Sequence, residues 1–206
     1  MGTLRSVSAV DIQPVGPGQL DALAALFTAE RATRHCWCTA FCATRWQFAT
    51  GWYGGGNRRR FETMAATERA PMGVLAAEAG EPIGWCACGP MIRYTAAIDD
   101  RNRLLADRPR VDEVWLIACL YLAPQHRGSW TAVALIRAAV SLARAEGASA
   151  VEAWPLAAGV RRRGEEHVGR EGVFARLGFN TVQRPSLERV VMRLDLGAAA
   201  GQESDP

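Results

Sequence analysis

The sequence predicts one mixed α/β (α+β) domain, and three observations predict it. Val114 to Ala123 is apolar on both faces, as a strand in the middle of a sheet must be. Trp130 to Glu146 follows, with Val133, Ile136, Val140 and Ala143 returning at helical spacing and Gly147 closing the end. On either side of this pair, short β-rich runs alternate with helical patterns, and no internal repeat divides them.

Taken in order, Val10 to Val15 reads as a first strand. Gln19 to Ala32 reads as a helix, with Leu20, Leu23, Ala24 and Phe27 on one face and Asp21 in the first turn. Cys36 to Tyr53 is crowded with Cys and aromatic residues, and Gly54 to Gly56 breaks it. Arg58 to Arg69 is a polar helix ended by Pro71. Gly73 to Glu78 and Pro82 to Cys88 flank the turn Ala79-Gly80-Glu81 as a hairpin. Met91 to Arg110 is a charged connection with some helical character. Ala150 to Pro155 is a further strand, and Ala157 to Gly169 a loop rich in Arg and Gly. Glu171 to Leu177 is a short helix stopped by Gly178, and Thr181 to Gln183 with Arg189 to Leu196 close the sheet. The domain is expected to span 1–196, with 197–206 a frayed tail.

A chain of 206 residues can bury about 70% of its unfolded surface, so it needs no covalent staples. Apolar residues at 49% and charged residues at 22% exclude general disorder. The net charge of +3 is too small to imply a nucleic-acid partner. All 24 basic residues are Arg, which excludes a Schiff-base or P-loop lysine. Met1 to Val10 lacks the apolar stretch of a secretory signal, and Val114 to Ala123 is about half the length of a membrane span. A cytoplasmic protein with no membrane partner is expected. The six Cys, at 36, 38, 42, 86, 88 and 119, are then reduced thiols. His35, Cys36, Cys38 and Cys42 would be soft ligands for a zinc knuckle, but neighbours as close as His35 and Cys36 do not both easily reach one tetrahedral ion. No metal is expected.

From Trp115 to Ala148 the chain runs strand, then Ala123-Pro-Gln-His-Arg-Gly-Ser-Trp-Thr-Ala132, then the long helix. Downstream stands Phe174-Ala-Arg-Leu-Gly-Phe179, followed by strands. These segments resemble the GNAT superfamily of N-acetyltransferases, whose coenzyme loop reads Arg/Gln-x-x-Gly-x-Gly/Ala and whose last helix commonly ends in Gly-Phe. The resemblance in element order runs from about Ala9 to Leu196. Cys36-Trp37-Cys38 and Gly84-Trp85-Cys86 are similar to a bacterial subgroup of that family.

The resemblance implies a central, mostly antiparallel twisted sheet of six or seven strands with a splayed parallel pair and about four flanking helices. It implies acetyl-CoA as co-substrate and direct transfer of the acetyl group to an amine of a small molecule or peptide, by a monomer or homodimer. The backbone around Leu120, Tyr121 and Leu122 would hold the pantetheine. Arg127, Gly128, Ser129, Trp130, Thr131 and Ala132 would hold the pyrophosphate, because a strand feeding a helix through a tight turn aims unpaired N–H groups at one spot. Two registers of the loop pattern are open. Starting at Gln125 puts Gly128 at the glycine and Trp130 at the final small residue; starting at Arg127 puts Ala132 at the end and Trp130 at the central glycine. The second keeps the helix face in phase. In both, Trp130 stands where a very small residue belongs. Turned outward it leaves the loop open; turned inward it occludes it, and the chain would then be a non-catalytic binding or regulatory module.

Many members use a Tyr of the last helix as the acid for the leaving thiolate; the matching residue here is Phe174, expected to pack under the thiol end of the coenzyme. Others use a Glu in the core strand, but Leu116 to Leu120 has no carboxylate, which leaves Glu113 as the nearest candidate base. Tyr121 is the other catalytic candidate, and Cys119 lies beside it. Trp37, Trp46, Trp52 and Trp85, with Tyr53, would either line an aromatic pocket for a cationic amine or fill the core. His126 is expected as a plain loop residue, and His167 in the Arg-rich loop as solvent-exposed. Arg58 to Arg60 and Arg161 to Arg163 would meet a ribose phosphate or an acidic partner, or form solvated surface.

Overall fold

Strands β1 (Val10–Pro14), β2 (Gly73–Glu78), β3 (Glu81–Pro90), β4 (Val114–Leu122), β5 (Ala150–Ala153), β6 (Asn180–Gln183) and β7 (Val191–Asp195) join in one sheet, ordered β1-β2-β3-β4-β5-β7-β6. Every pairing is antiparallel except that of β4 with β5. This computed structural model describes residues 9–31, 33–94, 113–128, 130–161 and 166–197. Most of the charged connection after Tyr94, Ser129, Arg162 and Arg163, and the tail from 198 lie outside the described residues.

The β2–β3 hairpin is tighter than expected. Glu78 pairs directly with Glu81, and the two turn residues Ala79 and Gly80 both take positive φ, 50° and 84°. That turn matches the right-handed twist of the strands. The described α-helices are α1 (Leu20–Thr28), α2 (Arg45–Gly51), α3 (Gly56–Thr67), α4 (Thr131–Ala145) and α5 (Glu171–Ala175), with short 3-10 turns between elements. The α2 helix inside the Cys- and Trp-rich segment was not expected. A capping box starts it: Gln47 N–H donates to Thr44 Oγ1 at 3.3 Å, and Thr44 N–H donates to Gln47 Oε1 at 3.0 Å.

Alternation along the strands splits the core into two layers. Leu75, Trp85, Ala87, Cys119 and Tyr121 pack beneath α1 and α3. Val74, Ala76, Cys86, Cys88 and Ile117 face the opposite way, onto Leu135, Ile136 and Ala139 of α4 and Phe174 of α5. Gly84 lets α4 approach: a Cβ there would stand 2.7 Å from Leu122 and 2.9 Å from Leu135.

Two local events free the far half of β4. Ala87 pairs with Cys119 but Cys88 pairs with Ile117, so Ala118 is one extra residue, a β-bulge on β4. At the same level the parallel ladder with β5 stops, its last pair being Ile117 and Ala153. The reason lies in the chain after β5. Pro155 has no N–H to donate. Leu156 gives its N–H to the Gly169 carbonyl (3.1 Å) and its carbonyl accepts from Glu171 N–H (2.9 Å). With those groups engaged elsewhere, β5 diverges and β4 runs on from Ala118 to Leu122 without it.

Candidate active site

The divergence of β4 from β5 leaves a wedge-shaped gap with a strand edge along one side. Leu120 is the one residue of β4 that is not fully buried, an opening in what is otherwise a central strand. A free strand edge can accept an extended chain as an added strand. The strand then enters a turn at Pro124–His126 and reaches α4, a helix of 15 residues. Between them Gly128 has φ +79° and open space around the position a Cβ would take. Trp130 is 57% exposed, so its indole turns outward and does not fill the loop. Thr131 is buried and Ala132 half-buried at the start of the helix. Arg127 braces the turn: its Nε donates to the Leu122 carbonyl (3.2 Å), and its guanidinium pairs with Glu30 (3.1 Å). A strand edge, an open glycine and the positive end of a long helix fit the pantetheine and diphosphate portions of an acyl-coenzyme A.

Tyr121 forms the wall between this gap and a second hollow. It is 1% exposed, and its hydroxyl is buried beside Glu30 and Thr33. Burial raises its pKa above the ordinary phenol value, and the negative charge of Glu30 acts in the same direction. Phe27 of α1 meets its ring edge-on at 6.3 Å, and His167 lies 5.5 Å from it, centroid to centroid. The second hollow is a cleft of about 710 Å³ between the end of α1, the β2–β3 hairpin and the end of β4. Tyr121 and His126 line it together with three carboxylates, Glu30, Glu78 and Glu81.

Leu120, Tyr121, Leu122, Arg127, Gly128, Trp130, Thr131 and Ala132 thus lie on one continuous strand, turn and helix start, while Ser129 lies outside the described residues. Glu113 does not join them. It stands before the other end of β4, about 17 Å along the strand from Ala118 at ~3.4 Å per residue, and its carbonyl accepts from the backbone N–H and hydroxyl of Ser149. Phe174 is fully buried in the main core, its ring 5.2 Å from that of Phe179 and pressed on Gly169.

The four tryptophans do not form one pocket. A left-handed turn at Trp37 and Cys38, φ 50° and 52°, drives Trp37 inward, where it packs on Phe27 and Phe61. Trp85 is buried beside the same two rings. Trp46 is 77% exposed on α2, and Trp52 packs on Phe48 and His35. None of them lines the cleft beside Tyr121. Arg58 lies over Trp37 at 5.2 Å and pairs with Glu62, and Arg161 is exposed.

The six cysteines are free thiols. Cys38 and Cys119 are buried, and a hydrogen bond with Cys119, reinforced by burial, pushes the Cys38 thiol well up. Burial is the main cause that pushes Cys36 and Cys42 up to about 12. Among the described residues no group of three or more His, Cys, Asp or Glu side chains is placed to share a metal ion.

Sequence reasoning missed His167, Glu30, Glu78 and Glu81. His167, expected in solvent, is half-buried against Tyr121 because the loop after β5 folds back onto β4. Glu30 follows α1 and reaches the site only through the packing of that helix on the sheet. The Glu78 and Glu81 pair had a local signal, since both flank the hairpin turn.

The match to the acetyltransferase (GNAT) family covers residues 37–164. Among curated proteins nothing matches the chain. Solved structures share its fold at low identity. The structure of yncA from Salmonella typhimurium with its cofactor acetyl-CoA has a TM-score of 0.56 and 15% identity, over 96% of this chain and all of that one (100%). An N-acetyltransferase from Staphylococcus aureus Mu50 has a TM-score of 0.54 and 16% identity over 92% and 99% of the two chains. The paia N-acetyltransferase of Thermoplasma acidophilum in complex with coenzyme A has a TM-score of 0.51 and 12% identity over 91% and 99%. With its splayed β4–β5 pair, its seven-stranded mixed sheet and a family match over most of its length, the chain belongs to the acetyltransferase (GNAT) family.

Proposed function

We propose that the protein is an acetyl-CoA-dependent N-acetyltransferase that transfers the acetyl group directly to an amine of a small molecule or peptide. The observation that carries this reading is the continuity of the free half of β4 with an open loop at the start of α4, Trp130 turned away from it. When bound, acetyl-CoA supplies an acetyl group whose carbonyl carbon is attacked by the amine nitrogen as the bond to sulfur breaks.

The chain's own residues bind and orient for that reaction. The backbone of Leu120 to Leu122 is assigned to the pantetheine, and Arg127 to Ala132, Ser129 included, to the diphosphate. Phe174 supports α5 from within the core. Tyr121 holds its proton well into the alkaline range and is assigned as the acid that protonates the leaving thiolate. His167, packed against it with its ring tilted at 60°, is assigned to receive the proton that the attacking amine loses. Fixing both partners beside one strand edge supplies much of the remaining acceleration by orientation. Free thiols throughout suit a reducing cytoplasm, where the protein would act as a monomer or homodimer.

Titration calorimetry of the wild type and Trp130→Gly with acetyl-CoA tests the binding half of this reading. Both are expected to bind with dissociation constants within about five-fold, because the indole lies outside the loop. Binding by the Gly variant alone would mean an occluded loop and a non-catalytic module. Binding by neither folded protein would remove acyl-CoA from the account.

A further inference from the structure

The positive charge of the chain is unevenly spread. Residues 31–61 hold six of the 24 arginines and no Asp or Glu, in a chain whose net charge is only +3. The rest of the protein is therefore net negative. The same segment carries the two most exposed aromatic side chains among the described residues, Trp46 at 77% and Tyr53 at 81%.

These features share one face. Trp46 and Tyr53 stand seven positions apart, two helical turns, and Trp52 keeps helical backbone angles (φ −63°, ψ −37°), so both rings leave the same stripe of α2 and its continuation. Ala49 and Thr50 lie between them on that stripe and are also exposed. The opposite side of α2 is anchored: Gly51 is buried, and the Phe48 carbonyl accepts from Asn57 of α3. Arginines frame the exposed stripe. Arg45 is exposed beside Trp46. Arg60 Nη1 donates to the carbonyl of Gln47 (3.4 Å), next to Trp46, and Arg59 Nη1 donates to the carbonyl of Gly54 (2.6 Å), next to Tyr53. Bonds to neutral carbonyls leave both positive charges uncancelled, whereas Arg58 is paired with Glu62.

Trp and Tyr are the side chains that settle at the boundary between lipid headgroups and acyl chains, and anionic headgroups attract a cluster of arginines. Rings this far out in solvent make a convex surface, which fits a plane; a single-stranded nucleic acid is held in a positive groove instead. We propose that this face docks the protein on an anionic phospholipid surface, with Trp46 and Tyr53 entering the interface and Arg45, Arg59 and Arg60 meeting the lipid phosphates. Among the described residues no helix is long and apolar enough to cross a membrane, so the contact is peripheral. It does not depend on the transferase reading.

The test is co-sedimentation of the full chain with vesicles of phosphatidylcholine alone or mixed with phosphatidylglycerol. The anionic vesicles are expected to bind about ten-fold more tightly or better at low salt, and the difference should shrink at 500 mM salt. An arginine at such a surface contributes about five-fold in affinity, so Arg45→Gln/Arg59→Gln should weaken binding about ten-fold or more. Arg137→Gln/Arg144→Gln, which removes the same charge from the exposed side of α4, should change it far less. Brominated lipid should quench tryptophan emission in the wild type, and Trp46→Phe should abolish most of that quenching. No binding, equal binding to both vesicles, or equal losses in the two arginine variants would overturn the proposal. Tighter binding to a single-stranded oligouridine than to the anionic vesicles would overturn it in favour of a nucleic-acid surface. A concentration-dependent dimer that Trp46→Ala dissolves would overturn it in favour of a second copy of the chain. Should an arginine variant not fold, the lipid preference and the Trp46→Phe quenching decide.

Discussion

The rings of Tyr121 and His167 meet with centroids 5.5 Å apart and planes inclined at 60°. One residue comes from the free half of β4, the other from the turn at 166–168 within the Arg-rich loop. Their meeting puts a phenol and an imidazole beside the gap, where the family pattern would have placed a tyrosine at the position of Phe174.

This pairing separates chemistry from stability. Tyr121→Phe removes a buried hydroxyl without changing the ring's packing, so the variant should stay within about 1 kcal/mol of the wild type in stability. Loss of a general acid should at the same time lower kcat by about 10²-fold. Denaturant melts alongside steady-state kinetics check both halves. A variant of unchanged rate would return Tyr121 to packing. His167→Gln should lower kcat with little change in KM, as expected of a group that receives the amine's proton.

Alkaline pH should unfold the protein through its thiols. Cys36 and Cys42 are pushed up from 9.0 to about 12, chiefly by burial, and Tyr94 and Tyr121 are also raised. A group with its pKa raised on folding stabilises fully below its unfolded value and loses that contribution as pH climbs to the folded one. Stability in urea should therefore be flat from pH 7 to 8.5 and fall between pH 9 and about 12. Cys36→Ala should flatten the fall. A disulfide reagent at pH 8 should find these thiols slow in the native state and count all six after denaturation.

The Cys- and Trp-rich segment hangs on one buried amide. Asn57 is 1% exposed, and its Nδ2 donates to the carbonyls of His35 (2.9 Å) and Phe48 (3.2 Å). Gly51 makes room for it: a Cβ at that position would stand 2.2 Å from Asn57 Oδ1. Asn57→Ala strands two carbonyls and should cost about 2 kcal/mol, and Gly51→Ala about as much by crowding. The urea midpoint measures both. A cost under about 0.5 kcal/mol for Asn57→Ala would mean that this segment is held by its rings instead.

Several features were decided by the sequence alone because each depends on neighbours a few residues away. The apolar run of β4 marks a central strand, the periodic face of α4 marks its partner layer, and Gly147 and Gly178 mark helix ends wherever the chain folds. Thr44 and Gln47 were a legible capping box inside a segment whose composition drew attention to its rings instead. The order of elements and the loop before α4 were sufficient to name the family. What lies across the sheet was not available at that range. The bulge at Ala118 and the departure of β5 after Ala153 depend on which carbonyl and amide each strand finds, and Pro155 states only that one bond is missing. The tryptophans, close in sequence, point to opposite environments because the left-handed turn at Trp37 reverses the chain. Glu30, Tyr121 and His167, distant in sequence, share a site because α1 and the loop after β5 pack on the same end of β4. Local rules choose the elements; only the packing of those elements brings charges and rings from separate segments into one cleft.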